Sequence, residues 1–204
     1  VREAKVHTSW TDPHDAYEAA VETFVRGVLG DPAALDRLQG FLADTSLVER
    51  GRRSSLAQVA LLLTSPGQPD LYQGGERWDL SLADPDNRRP VDFDGARRAL
   101  DAVRGCDAAD ALHAEADVAG GQKLWLTHRL LHLRRDRPDL FEHSRYEPID
   151  VTGGDEPGAV AFRRGDLAVV VPCRSTGPAP GASLSLAGGR WTDQLSGRTV
   201  DAGT

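Results

Sequence analysis

The sequence predicts an α+β fold: a mostly helical segment over residues 1–144 that holds one short buried strand, then a small antiparallel β domain over residues 145–204. Three observations carry this. Apolar residues recur at helical spacing over 17–28, 35–42 and 124–133. The apolar run Leu61, Leu62 and Leu63 leads through Pro66-Gly67-Gln68-Pro69 to Leu71-Tyr72, a pair too short for anything but a strand. From Tyr146 onward, short apolar runs alternate with Gly, Pro and Asp, the mark of hairpins.

The helical segment opens with Asp12-Pro13, read as an N-cap carboxylate followed by proline in the first turn, where its missing amide costs nothing. Tyr17, Ala20, Val21, Phe24, Val25 and Val28 then form an inward-facing stripe that stops at Gly30. Asp31-Pro32 repeats the opening device ahead of Leu35, Leu38, Phe41 and Leu42. Ser54 is expected to cap a third, shorter helix over Leu56, Val59, Ala60 and Leu63, and Asp94 a fourth through Leu100 and Val103. The stretch around Cys106 has no clear period. Residues 122–137 form the clearest helix, with Leu124, Leu126, Leu130, Leu131 and Leu133 inside and Arg129, Arg134, Arg135 and Arg137 outside, ended by Pro138. Strands are expected over 146–151, 159–162, 167–171, 183–186 and 189–192, with a hairpin turn at Arg164-Gly165-Asp166.

The densest chemistry lies between residues 66 and 93. Gly74 and Gly75 allow a sharp turn or a close approach. After them come Glu76, Asp79, Asp84, Asp86 and Asp92, with Arg77, Arg88, Arg89, Asn87 and Trp78. Carboxylates and guanidinium forks hold hydroxyl pairs through bidentate hydrogen bonds, and an indole covers the apolar face of a pyranose. The competing reading is a solvated loop whose charges pair with each other.

Gly67, Pro69, Tyr72, Gly74 and Glu76 fit a Gly-x-Pro-x-x-Tyr-x-Gly-x-Glu pattern, and the segment resembles the last barrel strand and following loop of the alpha-amylase superfamily, glycoside hydrolase family 13. Within it, Tyr72-Gln73-Gly74, Trp78-Asp79-Leu80-Ser81-Leu82 and the run from Asp84 to Asp92 are similar to one signature of a group of isomerases. Residues 2–10, Arg2-Glu3-Ala4-Lys5-Val6-His7-Thr8-Ser9-Trp10, are similar to a second. Gly75 and Arg77 depart from the pattern, which has Thr and an aliphatic residue there. The resemblance implies the C-terminal part of a (β/α)8 amylase-type barrel, with Leu71-Tyr72 as its eighth strand, followed by a β-sandwich. The implied reaction converts the reducing-end α-1,4 linkage of a maltooligosaccharide into an α,α-1,1 linkage by retaining intramolecular transglucosylation. Tyr72, Gln73, Glu76, Trp78 and Asp79 are the implied pocket residues. Asp86, Asn87, Arg88 and Arg89, braced with Asp92, are expected to hold the loop, and Lys5, His7 and Trp10 to reach the same pocket. The resemblance puts the catalytic carboxylates upstream, so no catalytic residue is expected in this chain, and the partner is the rest of the barrel.

Other functions stay open at this point: another hydrolase or glucanotransferase of the superfamily, or a non-catalytic carbohydrate-binding or structural module. His14-Asp15, a tempting catalytic pair, falls in a first helical turn where acids favour the helix dipole. His128 and His132 are four apart, but His113 and His143 add no ligand pattern, and neither a metal nor a cofactor is expected. A formal charge of -7 argues against a nucleic-acid partner. No apolar run reaches membrane-spanning length, and Cys106 and Cys173 have no framework spacing, so a cytoplasmic protein with free thiols is expected. Methionine is absent and the chain begins inside a motif, which reads as a fragment of a longer protein.

Overall fold

A computed structural model describes residues 1–82, 86–106, 120–153, 158–173 and 181–202. Its helices are α1 (Asp15–Gly30), α2 (Pro32–Thr45), α3 (Leu47–Thr64), α4 (Phe93–Val103), α5 (Gly121–Asp136) and α6 (Pro138–Glu142). Its strands are β1 (Glu147–Ile149), β2 (Val151–Thr152), β3 (Ala159–Arg164), β4 (Leu167–Pro172), β5 (Ser183–Leu184), β6 (Arg190–Thr192) and β7 (Thr199–Asp201). The chain divides into two compact units, Val1–Glu49 with Ser81–Arg89 and Arg50–Leu80 with Pro90–Thr204. No helix among the described residues is long and apolar enough to cross a membrane.

In the first unit α1 starts at Asp15, not beside Asp12-Pro13. The cap is His14, whose Nδ1 accepts the Tyr17 amide at 3.1 Å, while Asp12 is held in a turn with Ser9. Asp31 serves both helices, closing α1 through its amide and opening α2 by accepting the Ala33 amide at 3.0 Å, with Pro32 behind it as expected. Ser46, in the left-handed region at φ 51°, turns α2 directly into α3. The expected inward stripe is not buried. No residue of α1 or α2 is buried, and Phe24 is 71% exposed. Periodicity identifies the apolar side of a helix; it does not supply the surface that covers it.

The second unit is built on α3, which runs from Leu47 rather than from Ser54; Ser54 lies in its interior. One side of α3, Leu56, Val59, Ala60 and Leu63, packs on Trp125, Leu126 and Leu130 of α5. The adjacent side, Ala57, Ala60 and Leu61, packs on Phe162, Val169 and Val171. Helix α4 is capped by Asp92, which accepts the Gly95 amide at 2.8 Å, and not by Asp94. Helix α5 covers the expected span to within a residue, with Trp125 and Thr127 buried beside Leu124, Leu126 and Leu130, while Leu133 is half-buried and Leu131, expected inside, is exposed.

Strand β3 pairs antiparallel with β4 through the expected turn at Gly165-Asp166, and β1 adds to its other edge. The other strands form two separate pairs, β2 with β5 and β6 with β7. The expected sandwich is therefore not formed among the described residues: the face of β3 and β4 that would meet a second sheet is covered by α3. β7 was not anticipated from the sequence. Leu71 and Tyr72 lie in no strand, and no closed barrel is present among the described residues. A parallel barrel strand needs hydrogen-bonding neighbours on both sides. Without them, Leu71 packs as a single half-buried side chain against the α3–α5 core.

The C-terminal end of α3 is closed by two arginines. Arg164, 2% exposed, donates to the carbonyls of Thr64 at 3.3 Å, Ser65 at 3.2 Å and Phe141 at 2.9 Å. Arg134 donates to Leu63 O at 3.0 Å and Gly67 O at 3.1 Å. Both guanidiniums lie against the Phe141 ring, at 4.5 Å for Arg134 and 5.3 Å for Arg164. Arg164→Ala is expected to cost about 2–4 kcal/mol in a urea unfolding experiment, because it orphans buried carbonyls. Arg163→Ala, which breaks the exposed pair with Glu147, should cost under about 1 kcal/mol.

Candidate functional site

The stretch that follows α3 is a chain of tight turns. The Gly75 amide donates to Tyr72 O at 2.8 Å and the Arg77 amide to Gly74 O at 3.2 Å. A Cβ on Gly75 would stand 2.8 Å from that same Tyr72 oxygen, which accounts for glycine where the resembled pattern has threonine. The turns present Tyr72 and Gln73 outward, with Gln73 Nε2 3.4 Å from the Tyr72 hydroxyl. They leave Glu76, Arg77 and Trp78 half-buried and Asp79 exposed.

Three residues that the sequence does not assign to this loop complete the group. The Arg52 guanidinium of α3 lies 5.8 Å from the Trp78 ring centre and the Lys123 ammonium of α5 lies 6.0 Å from it, both within cation–π range. Gly120, at φ +83°, brings the start of α5 against the loop: a Cβ there would fall 2.5 Å from the Trp78 amide nitrogen. Burial pushes the Lys123 ammonium below its ordinary pKa, and the charges of Asp79 and Glu76 act in the opposite direction. An aromatic face, cationic donors and carboxylate acceptors thus converge on one side of the second unit. Lys123 left one trace in the sequence: it stands in the first turn of α5, where a cation is disfavoured by the helix dipole.

The other expected residues belong to the first unit. Arg2 grips Glu18 with two hydrogen bonds of 2.7 Å, and the buried Thr8 donates to the same carboxylate at 2.5 Å. The Arg2 hydrogen bond and then that of Thr8 hold the Glu18 pKa down to about 2. Trp10 donates its indole N–H to Glu3 Oε2 at 2.6 Å, with the Arg2 guanidinium 5.5 Å from its ring. Lys5 is exposed at φ 55°, ending a 3-10 turn over Arg2–Ala4. His7 is exposed beside Tyr17, their rings 5.1 Å apart. Asp86 accepts the Leu82 amide at 2.8 Å and pairs with Arg89, so these two brace the loop. Arg88 is exposed, and Asn87 holds a buried Oδ1 with no donor in reach among the described residues. Asp84 and His113 lie outside the described residues.

Among the described residues, two clefts of the second unit are lined by residues other than the Trp78 group. One of about 420 Å³ runs beside α5 and is lined by His132, Asp136, Arg137, Asp166 and Gln194, with Arg137 bonded to Asp139 and Asp166. The other, of about 370 Å³, lies at the root of the motif between Gln58 and Pro69. Among the described residues no group of three His, Cys, Asp or Glu side chains is arranged to hold a metal ion. The His128 and His132 rings lie 4.1 Å apart with their planes tilted by 45°, and burial, then His132, pushes the His128 pKa down.

A half-buried indole with two cationic side chains near its ring, on a loop seated on a helical scaffold, offers an apolar face and charged donors side by side. No family model matches the chain. Over 209 aligned residues it is 38% identical to a putative maltooligosyl trehalose synthase of Mycobacterium tuberculosis, a match covering 100% of this chain and 25% of that protein. The structure of maltooligosyltrehalose synthase from Arthrobacter ramosus matches 98% of the chain at 33% identity with a TM-score of 0.81, using 26% of its own length. A crystal structure of another maltooligosyl trehalose synthase matches 98% of the chain at 31% identity with a TM-score of 0.79. The chain is a homologue of maltooligosyl trehalose synthases along its whole length, and spans about a quarter of theirs.

Two outcomes follow from this geometry. Gly120→Ala should destabilise the chain by about 1–3 kcal/mol in chemical unfolding, because it strains a left-handed backbone and drives a methyl into the Trp78 amide. Glu18 is lowered on folding, so its stabilising contribution is complete above its ordinary pKa of 4.5 and fades as pH falls toward about 2. An acid titration of stability should show this loss, and Glu18→Gln should flatten that part of the profile.

Proposed function

We propose that the chain is the C-terminal portion of a maltooligosyl trehalose synthase and supplies a substrate-binding loop, while the catalytic carboxylates lie in the part of the enzyme outside it. The observation that carries this is the full-length match to such synthases at about a quarter of their length, joined to the Trp78 group. Residues 1–144 are proposed as barrel-associated structure and residues 145–204 as the appended β domain.

In the whole enzyme the reaction is an intramolecular transglucosylation of a maltooligosaccharide. A carboxylate nucleophile forms a glycosyl-enzyme, the displaced reducing-end glucose stays bound and turns over, and its anomeric hydroxyl attacks to give the α,α-1,1 linkage. The outcome depends on retention, since a glucose that diffuses away leaves the intermediate to water. Tyr72, Gln73, Glu76, Trp78 and Asp79 are the proposed grip on that sugar. Asp86, Asn87, Arg88 and Arg89 hold the loop, and Lys5, His7 and Trp10 belong to a second contributing surface. By itself the chain is a carbohydrate-binding piece without turnover.

In the full enzyme carrying this sequence, Trp78→Ala or Asp79→Ala should raise free glucose relative to trehalose-ended product several-fold when maltopentaose is the substrate. A ratio equal to that of the parent would remove the loop from the retention step. Predominant hydrolysis by the parent itself would assign it to another branch of the superfamily.

A further inference from the structure

The Trp78 loop carries acceptors: Glu76 and Asp79 flank Trp78 in sequence, and their charges act on Lys123. A sugar hydroxyl is both donor and acceptor, so a site that grips one also needs a donor held in place. Arg52 and Lys123 both approach the ring. They differ in chemistry and setting. Lys123 is anchored on the first turn of α5, which Gly120 presses onto the Trp78 backbone, so its stem is fixed with respect to the loop. Its ammonium is half-buried, within electrostatic reach of both carboxylates. A cation placed at the positive end of a helix and partly removed from water is locally costly. That cost is recovered where an acceptor meets the ammonium.

We propose that Lys123 is a further binding residue of this site, its ammonium donating to a hydroxyl of the glucosyl unit that stacks on Trp78 while Glu76 and Asp79 accept from the neighbouring hydroxyls. This rests on the reading of the loop as a sugar site and adds to it a residue carried by a rigid helix rather than by the loop.

The test is maltotriose binding to this 204-residue chain, measured by calorimetry. At neutral pH, Lys123→Met should weaken binding about ten-fold or more, the scale of losing one hydrogen bond to a charged donor. Lys123→Arg, which keeps charge and stem, should retain part of the affinity. A variant-free arm uses pH. The charged groups around Lys123 are the Glu76 and Asp79 carboxylates and the Arg52 and Arg77 guanidiniums, and burial lowers the Lys123 pKa, so its ammonium gives up its proton in the range leading up to the ordinary lysine value of 10.5. Wild-type affinity should therefore fall several-fold across that range, and the Lys123→Met profile should stay flat. Tight binding by Lys123→Met, or a flat wild-type profile, overturns the role given to Lys123 and leaves the loop as a sugar site. No maltotriose binding by the wild-type chain overturns the sugar reading itself, and the role of Lys123 with it.

Discussion

The second unit depends on how the open end of one helix is closed. Helix α3 ends among apolar side chains, with Leu63 fully buried and Thr64 nearly so, and its last carbonyls have no partner within the helix. Each such oxygen left bare in the interior would cost about 1–3 kcal/mol. Arg164 and Arg134 satisfy them from two directions, one from the end of β3 and the other from α5, and both lean on the ring of Phe141 in α6. Guanidinium suits this work better than ammonium. Its fork reaches two carbonyls at once, its plane lies along an aromatic ring, and it sheds water more readily.

That closure also decides where the next segment starts. Arg134 reaches past α3 to Gly67, so the turn opening the motif is tied to the same guanidinium that seals the helix. At the far end, Gly120 at the head of α5 bears on the backbone of Trp78. The intervening residues are held at root and tip by one helix, α5, and between these anchors they fold into turns that leave no room for a side chain at Gly75. A binding group on a loop is only as well placed as the scaffold under it. Here the scaffold is a helix buried along Leu124, Trp125, Leu126 and Leu130.

Where local chemistry decides the outcome, the sequence was readable. Asp31-Pro32 starts α2, the leucine period marks α5 to within a residue, and Gly165-Asp166 turns β3 into β4. It failed where the outcome depends on what lies opposite. Leu71-Tyr72 has the composition of a strand and no strand to pair with among the described residues. The stripe of α1 has the period of a buried face and stays exposed. Ser54 has the chemistry of a cap and sits mid-helix, because Ser46 had already turned the chain. At the candidate site, Trp78, Glu76 and Asp79 could be nominated from their types alone. Arg52, Gly120 and Lys123 could not, since they come from two helices that only the fold brings to the loop. Arg134 shows the same limit: a helical wheel puts it outside, and its long stem carries the guanidinium back over the end of α3.

The displaced carboxyl groups of the described residues are held as anions by their neighbours. Retaining glycoside chemistry needs one carboxyl group held protonated near neutral pH, which takes an apolar pocket or a like charge close by. Four carboxyl groups of the described residues are displaced downward. Arg2 does this to Glu18, Arg135 to Asp136 and Arg137 to Asp139. Asp193, where burial works the other way, is lowered by the Ser196 hydroxyl and two backbone amides. Such groups are fixed anions and poor acids. The displaced group at the Trp78 loop is instead a donor, the Lys123 ammonium, which its neighbours Asp79 and Glu76 help to keep charged. A surface furnished in this way can orient hydroxyls and hold a ring against an indole, whereas breaking a glycosidic bond requires an acid of the opposite character.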